Sequence, residues 1–176
     1  MTGAKAMMRS FALLSATLAL LAGCATLPFG DLGLPAGTPR DQVIARAGQP
    51  TRATRTPTGE RLVYSLQPWG RQAWAVELDP SGRVSRIEQV LTEQHLARIQ
   101  PGWTREQVEA AFGPPGHFDR VASWDGPIMN YRWRDRAHLD MWYWVYLDRQ
   151  GVVRQAHPGV DYPVPGGEAD GGPSKD

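Results

Sequence analysis

Apolar positions along the chain fall into three regimes. Phe11 to Ala22 is apolar apart from Ser15 and Thr17, the middle alternates helix-period with strand-period stretches, and from His157 onward proline, glycine and acids dominate. In the middle, Val43, Ile44 and Ala47 share one helical face, as do Val108, Ala111 and Phe112. The residues in front of them predict the helix starts. Thr38 is expected to cap the first helix with Pro39 at its first position, and Thr104 the second, with Gln107 completing a capping box. Gly48 and Gly113 are expected to supply left-handed stops, and Pro50 and Pro115 forbid continuation. Residues 92–99 (TEQHLARI) predict a further helix with Leu96 and Ile99 inward. Strand alternation follows at Leu62/Tyr64/Leu66, at Trp74/Val76/Leu78 and over 83–91. It returns at Tyr131/Trp133, at Tyr143/Val145/Leu147 and from Val152 onward. Segments 51–56 and 117–124 are weaker strand candidates.

The middle is a duplication. Gly37-Thr-Pro-Arg-Asp-Gln-Val-Ile-Ala-Arg-Ala-Gly-Gln-Pro50 aligns with Gly102-Trp-Thr-Arg-Glu-Gln-Val-Glu-Ala-Ala-Phe-Gly-Pro-Pro115, seven of fourteen positions being identical at an offset of 65. Val76-Glu-Leu-Asp-Pro-Ser-Gly-Arg-Val84 aligns with Val145-Tyr-Leu-Asp-Arg-Gln-Gly-Val-Val153 at an offset of 69. Two matched blocks in the same order indicate two copies of one unit, 34–98 and 99–157. The expected class is α+β, in two tandem units. Each would pack short helices on one face of a small antiparallel sheet. A unit of about 65 residues is marginal alone, so the copies should share an interface.

Composition narrows the function classes. Nineteen basic residues face eighteen acidic ones, a net +1. Without Lys5 and Arg9 at the N-terminus the balance falls to about −1, which gives no electrostatic reason to bind nucleic acid. Those two charges, the apolar stretch and the small pair Ala22-Gly23 before Cys24 describe a secretory signal over 1–23. The apolar run is too short for the roughly 20 residues of a membrane-spanning helix. Leu21-Ala22-Gly23-Cys24 resembles a bacterial lipobox. The resemblance implies cleavage before Cys24, diacylglyceryl and N-acyl (palmitate) lipids on Cys24, and a lipidated tether over 24–36. Ala25 stands where an aspartate would mark inner-membrane retention, so outer-membrane, periplasm-facing localisation is expected. With one cysteine, no intramolecular disulfide is available.

A Gly, a threonine-started helix with Gln-Val, a Gly-x-Pro stop and strands with a Leu-Asp-x-x-Gly-x-Val turn together resemble the BamE (SmpA/OmlA) domain family of outer-membrane lipoproteins. This resemblance covers both repeats. It implies a protein-binding module, in outer-membrane protein assembly or envelope integrity. The tandem arrangement resembles the architecture of the secreted β-lactamase-inhibitor protein. That likeness implies the alternative of a tethered inhibitor or regulator of a periplasmic enzyme.

The string Met141-Trp-Tyr-Trp-Val-Tyr-Leu147 separates its faces by parity: Tyr143, Val145 and Leu147 on one, Trp142, Trp144 and Tyr146 on the other. Their repeat partners are Trp74/Val76/Leu78 and Ala73/Ala75/Glu77. The first set is expected under the helices. The second, with Arg132 and Arg134 on the neighbouring strand, has the composition of a partner-binding surface. The same aromatics would equally suit packing on the other copy or on the C-terminal tail. No catalytic constellation is expected. The four histidines (His95, His117, His138, His157) lie apart, and His138 and Asp140, sharing a strand face, fall short of the three or four ligands of a metal site. Ser123 near His117 and Asp119 lacks a nucleophile-elbow context, and Asp125-Gly126-Pro127 reads as a turn. No enzyme activity and no cofactor beyond the lipid are expected. Arg52 and Arg55 read as a solvated strand edge. Residues 158–176 are expected to be a disordered tail, with Tyr162-Pro-Val-Pro165 able to adopt polyproline II.

Overall fold

A computed structural model describes residues 34–161. The leader, the lipobox, Cys24 and residues 162–176 lie outside the described residues.

The chain opens with α1 (Arg40–Ala47) and continues through β1 (Arg52–Thr56), β2 (Gly59–Ser65), β3 (Ala73–Leu78) and β4 (Val84–Gln89). A single turn, α2 (Glu93–Leu96), leads to α3 (Arg105–Phe112), followed by β5 (His117–Asp119), β6 (Ile128–Arg134), β7 (Asp140–Leu147) and β8 (Val153–Val160). The strands form two antiparallel four-stranded sheets, ordered β1-β2-β3-β4 and β5-β6-β7-β8. With a few short helices beside them, the class is α+β.

Equivalent hydrogen bonds recur in both halves. Gly37 N–H donates to Val84 O at 2.7 Å, and Gly102 N–H to Val153 O at 2.9 Å. The Arg40 amide donates to Gly82 O and the Arg105 amide to Gly151 O, at 2.9 and 2.8 Å. Tyr64 and Tyr131 each donate a phenolic hydrogen to the carbonyl that ends a helix, Gly48 O at 3.2 Å and Gly113 O at 2.9 Å. Asp79 and Asp148 each accept from two amides across their turns, at 2.8–3.0 Å and 2.9 Å. Gly59 and Gly126 fill matching tight spots, where an added Cβ would sit 2.0 Å from Leu78 O and Leu147 O respectively. Only glycine fits such a contact.

The core reaches across both halves. Val63, Ala73 and Ala75 of the first sheet cluster with Val108 and Phe112 of α3 and with Tyr131, Tyr143 and Val145 of the second sheet. α3 lies against β1, β2 and β3, and its Phe112 ring meets Tyr131 edge-on at 6.1 Å. The opposite side of the first sheet buries Leu62, Val76 and Leu78 together with Val43 of α1. Burial on both faces explains why β2 ends in four consecutive buried residues, Leu62 to Ser65, instead of alternating. Ala73 and Ala75 matter here. Their small side chains leave room for α3, whose terminal Gly113 comes so close that a Cβ would stand 2.9 Å from that of Ser65.

Several expectations need correction. Thr104 and Gln107 form the capping box. Thr38, however, does not cap α1: its hydroxyl donates to Pro35 O at 2.7 Å, and the cap position is Pro39. In the repeat alignment Pro39, not Thr38, stands opposite Thr104, and a proline has no side-chain oxygen to offer. Gly48 and Gly113 have φ of 79° and 81° but ψ near 180°, an extended glycine-only geometry instead of a left-handed helical stop. Thr92 accepts from the His95 amide and caps α2, while Leu96 and Ile99 are buried. Leu66 falls beyond β2 and is exposed. The 117–124 segment pairs only over His117–Asp119. His138 sits at φ 63° in the turn before β7, off the strand, so it does not share a strand face with Asp140. Residues 158–160, expected to be part of a disordered tail, are instead the end of β8, with Val160 paired to Met141.

Candidate functional site: the outer face of the second sheet

Strand register assembles the site. One row across the sheet reads His117, Asn130, Trp144, His157, and the next reads Arg132, Trp142, Gly159. A third row brings Ile128, Tyr146 and Gln155 together. Trp142, Trp144 and Tyr146 thus stand side by side along β7, about 6.8 Å apart by strand geometry. All three are half-buried, while Tyr143, Val145 and Leu147 between them are buried on the core side. Arg132 and Arg134 lie on the same outer side as the aromatics.

Each aromatic is held by its neighbours. The Arg132 guanidinium stands over the Trp142 ring at 5.0 Å and pairs with Asp161 at 2.6 Å. His117 meets Trp142 edge-on at 5.2 Å. Trp144 leans across β8 above Gly159, where an added Cβ would come within 2.2 Å of the indole. His157 stacks on Tyr146 at 5.4 Å with 24° between the planes. Trp124, from the loop before β6, meets Tyr146 at 5.3 Å and fixes itself by donating its indole N–H to Leu147 O at 2.7 Å. Asn130 is fully buried beneath the row; its amide donates to Ile128 O at 3.2 Å, while its Oδ1 has no partner among the described residues.

The rim is charged and tied to the first half. Arg134 pairs with Asp140 at 3.0 Å, and Asp140 also accepts from Arg71 of the β2–β3 loop at 2.7 Å. The Arg71 hydrogen bond, the largest influence, together with the Arg134 contact lowers the Asp140 pKa against the opposing effect of desolvation. Gln67 of the same loop behaves like a strand residue, accepting from Arg132 N–H at 3.1 Å and donating to Arg132 O at 2.7 Å. It covers the part of β6 that three-residue β5 leaves open. Trp69 protrudes from this loop, 81% exposed.

The matching face of the first sheet is occupied. There Ala73 and Ala75 stand in place of Trp142 and Trp144, α3 lies over them, and Arg61 bridges Glu77 and donates to Ala111 O at 3.1 Å. At the corresponding positions of the second sheet's outer face stand Trp142, Trp144 and Tyr146, none of them fully buried. His117, Trp124, Asn130, His157 and Gly159 were not assigned to this face from sequence. The register of β5 and β8 brings in His117, His157 and Gly159, which the hydrophobic pattern does not encode; Asn130 shares the parity of Arg132 on β6, and Trp124 arrives from the loop before β6.

Elsewhere, His95 contacts Thr92 Oγ1 through Nδ1 at 2.7 Å and Glu88 through Nε2 at 3.2 Å. Thr92 Oγ1 also accepts the His95 amide as the cap of α2, so this group ties α2 to β4. Ser123 lies in the loop after β5, beyond the His117–Asp119 pair at 3.4 Å. Among the described residues no three His, Cys, Asp or Glu side chains gather as a metal site, and no helix is long and apolar enough to cross a membrane. Compared with models of known protein families the chain matches none, and it has no significant match among curated proteins.

Proposed function

We propose that this chain is an outer-membrane lipoprotein, anchored through Cys24, that binds a protein partner in the periplasm on the outer face of its second sheet. In this proposal each half is a BamE-like unit with its helices on one face of its own sheet. The setting is outer-membrane protein assembly or envelope integrity, and the protein has no catalytic role and no cofactor beyond its lipid. The observation that carries the proposal is the half-buried row Trp142, Trp144, Tyr146 beside Arg132 on one sheet face. Tryptophan, tyrosine and arginine bring large, conformationally restricted contact area and a polar handle, which is why they dominate binding energy at interfaces. Here they are already held in place by Gly159, His157 and His117, so little ordering cost remains for binding.

A tethered inhibitor of a periplasmic enzyme is the second proposal. Trp69, almost fully exposed at the rim of the same face, favours it, since a protruding aromatic suits insertion into a cleft.

Affinity capture from detergent-solubilised envelopes tests both. Barrel-assembly subunits retained by the native chain and lost with Trp142→Ala/Trp144→Ala are expected for the first. One soluble enzyme, lost with Trp69→Ala, would support the second, and a partner set indifferent to all three changes would sink both. The anchor is tested separately: Cys24→Ala should leave an uncut, unlipidated precursor on a gel, and normal processing would refute it.

A further inference from the structure

We infer that residues 162–176 of this chain are an intramolecular ligand of the Trp142/Trp144/Tyr146 face, competing there with the partner. The competition rests on the proposal that this face binds a partner; the docking does not. Three observations carry it. First, the described chain ends on the face itself: Asp161, the residue after β8, donates its amide to Asp140 O at 3.1 Å and pairs with Arg132 at 2.6 Å, the same arginine that stands over Trp142. The chain is therefore pinned at one corner of the aromatic row at the point where residue 162 begins.

Second, length permits the contact. Fifteen residues follow Asp161, enough to span about 50 Å when extended, whereas Trp142 to Tyr146 covers about 13 Å of strand. Third, the chemistry fits. Those residues begin Tyr162-Pro-Val-Pro165, and proline-containing segments in the polyproline II form dock on aromatic-lined surfaces. At about 3.1 Å per residue, Pro163 and Pro165 would stand about 6.2 Å apart, close to the spacing of successive outward residues on a strand. The acids Glu168, Asp170 and Asp176 outnumber Lys175 in the same segment, while at the rim of the face Arg71, Arg132 and Arg134 outnumber Asp140 and Asp161, so the signs are complementary.

Weak contact suffices. A short linker holds its segment at an effective concentration on the order of 1 mM, so a dissociation constant of about 1 mM keeps the face covered half the time. A partner binding with micromolar affinity displaces such a cover at about a twofold cost in apparent affinity.

The test compares the lipidated full chain in detergent with the same protein truncated after Asp161. The readout is the indole N–H resonances of Trp142 and Trp144, assigned through their phenylalanine variants. Truncation should shift both resonances, and a synthetic 162–176 peptide added at millimolar concentration should restore them. Pro163→Gly/Pro165→Gly in the full chain should mimic truncation. Unchanged Tyr131 and Val145 amide resonances certify that each variant is folded. Indole resonances indifferent to truncation and peptide overturn the inference, as do resonances that depend only on protein concentration, which would assign the face to a second copy. If the indoles stay still while Trp142→Ala/Trp144→Ala loses the partner, the docking fails and the binding face stands. If the indoles move but partner capture ignores those changes, the docking stands and the binding face fails.

Discussion

Tyr64 and Tyr131 show how one residue type serves the same task twice. Each reaches from a central strand to the carbonyl at its helix end, and each is pushed up in pKa chiefly by burial, Tyr64 to about 12 and the fully buried Tyr131 well above its ordinary value. A folded-state pKa above the unfolded one means that the stabilisation is complete below the unfolded value, about 10, and is lost as pH rises beyond it. Stability measured by urea titration should therefore fall above about pH 10. Tyr131→Phe should blunt that fall and cost about 1–3 kcal/mol at neutral pH, because Gly113 O loses its donor in a buried place. A variant as stable as the native chain, with the same alkaline fall, would contradict this role.

At the scale of elements, the two equivalent strands β3 and β7 differ in what their outer positions permit. Ala73 and Ala75 let α3 lie on the first sheet; Trp142 and Trp144 instead fill the space above the second with their own rings. Ala75→Trp should therefore overpack the α3 contact and cost about 3 kcal/mol, the upper end of the usual range for a crowded core. The reciprocal Trp144→Ala should cost less than the roughly 3–5 kcal/mol of a fully buried aromatic, because its ring is only half-buried. Denaturant midpoints with unchanged slopes would measure both. Equal penalties at the two sites would mean that the second face is as closed as the first.

Over the whole molecule the two halves are joined by shared core and by polar clasps. α3 contributes to both sheets' packing, Arg52 pairs with Glu109 of α3 at 3.3 Å, and Arg71 pairs with Asp140 at 2.7 Å. Arg71 holds the Asp140 pKa below the ordinary carboxylate value. A lowered folded-state pKa contributes stability above the unfolded value, about 4, and loses it as pH falls through the folded one. Asp140→Asn should therefore be destabilising at pH 7 and progressively less so below about pH 4. Since Asp140 is partly exposed, the effect should stay within about 1 kcal/mol. A thermal-melt difference that persists unchanged at pH 2.5 would refute the clasp.

Local patterns made much of this legible. The duplicated helix and turn blocks locate α1, α3 and the Asp79 and Asp148 turns, because helix periodicity, the Thr104 capping box and turn chemistry are carried by a few residues close in sequence. This holds even though Thr38 does not cap α1 and the two stop glycines are extended. Parity alone separated Trp142, Trp144 and Tyr146 from Tyr143, Val145 and Leu147, since a strand cannot place neighbours on the same face. Tertiary structure decided the rest. That α3 covers Ala73 and Ala75, and that β2 is buried on both faces, follows from how the halves meet, which no local period encodes. His117, Asn130, His157 and Gly159 join the aromatic row only through register across three strand pairs. Gln67 closes the edge of β6 because β5 stops after three residues. Sequence determined which side chains point outward, because that depends on neighbours along the chain. Only the folded molecule determined which outward face is already filled, because that depends on residues far apart in sequence meeting in space.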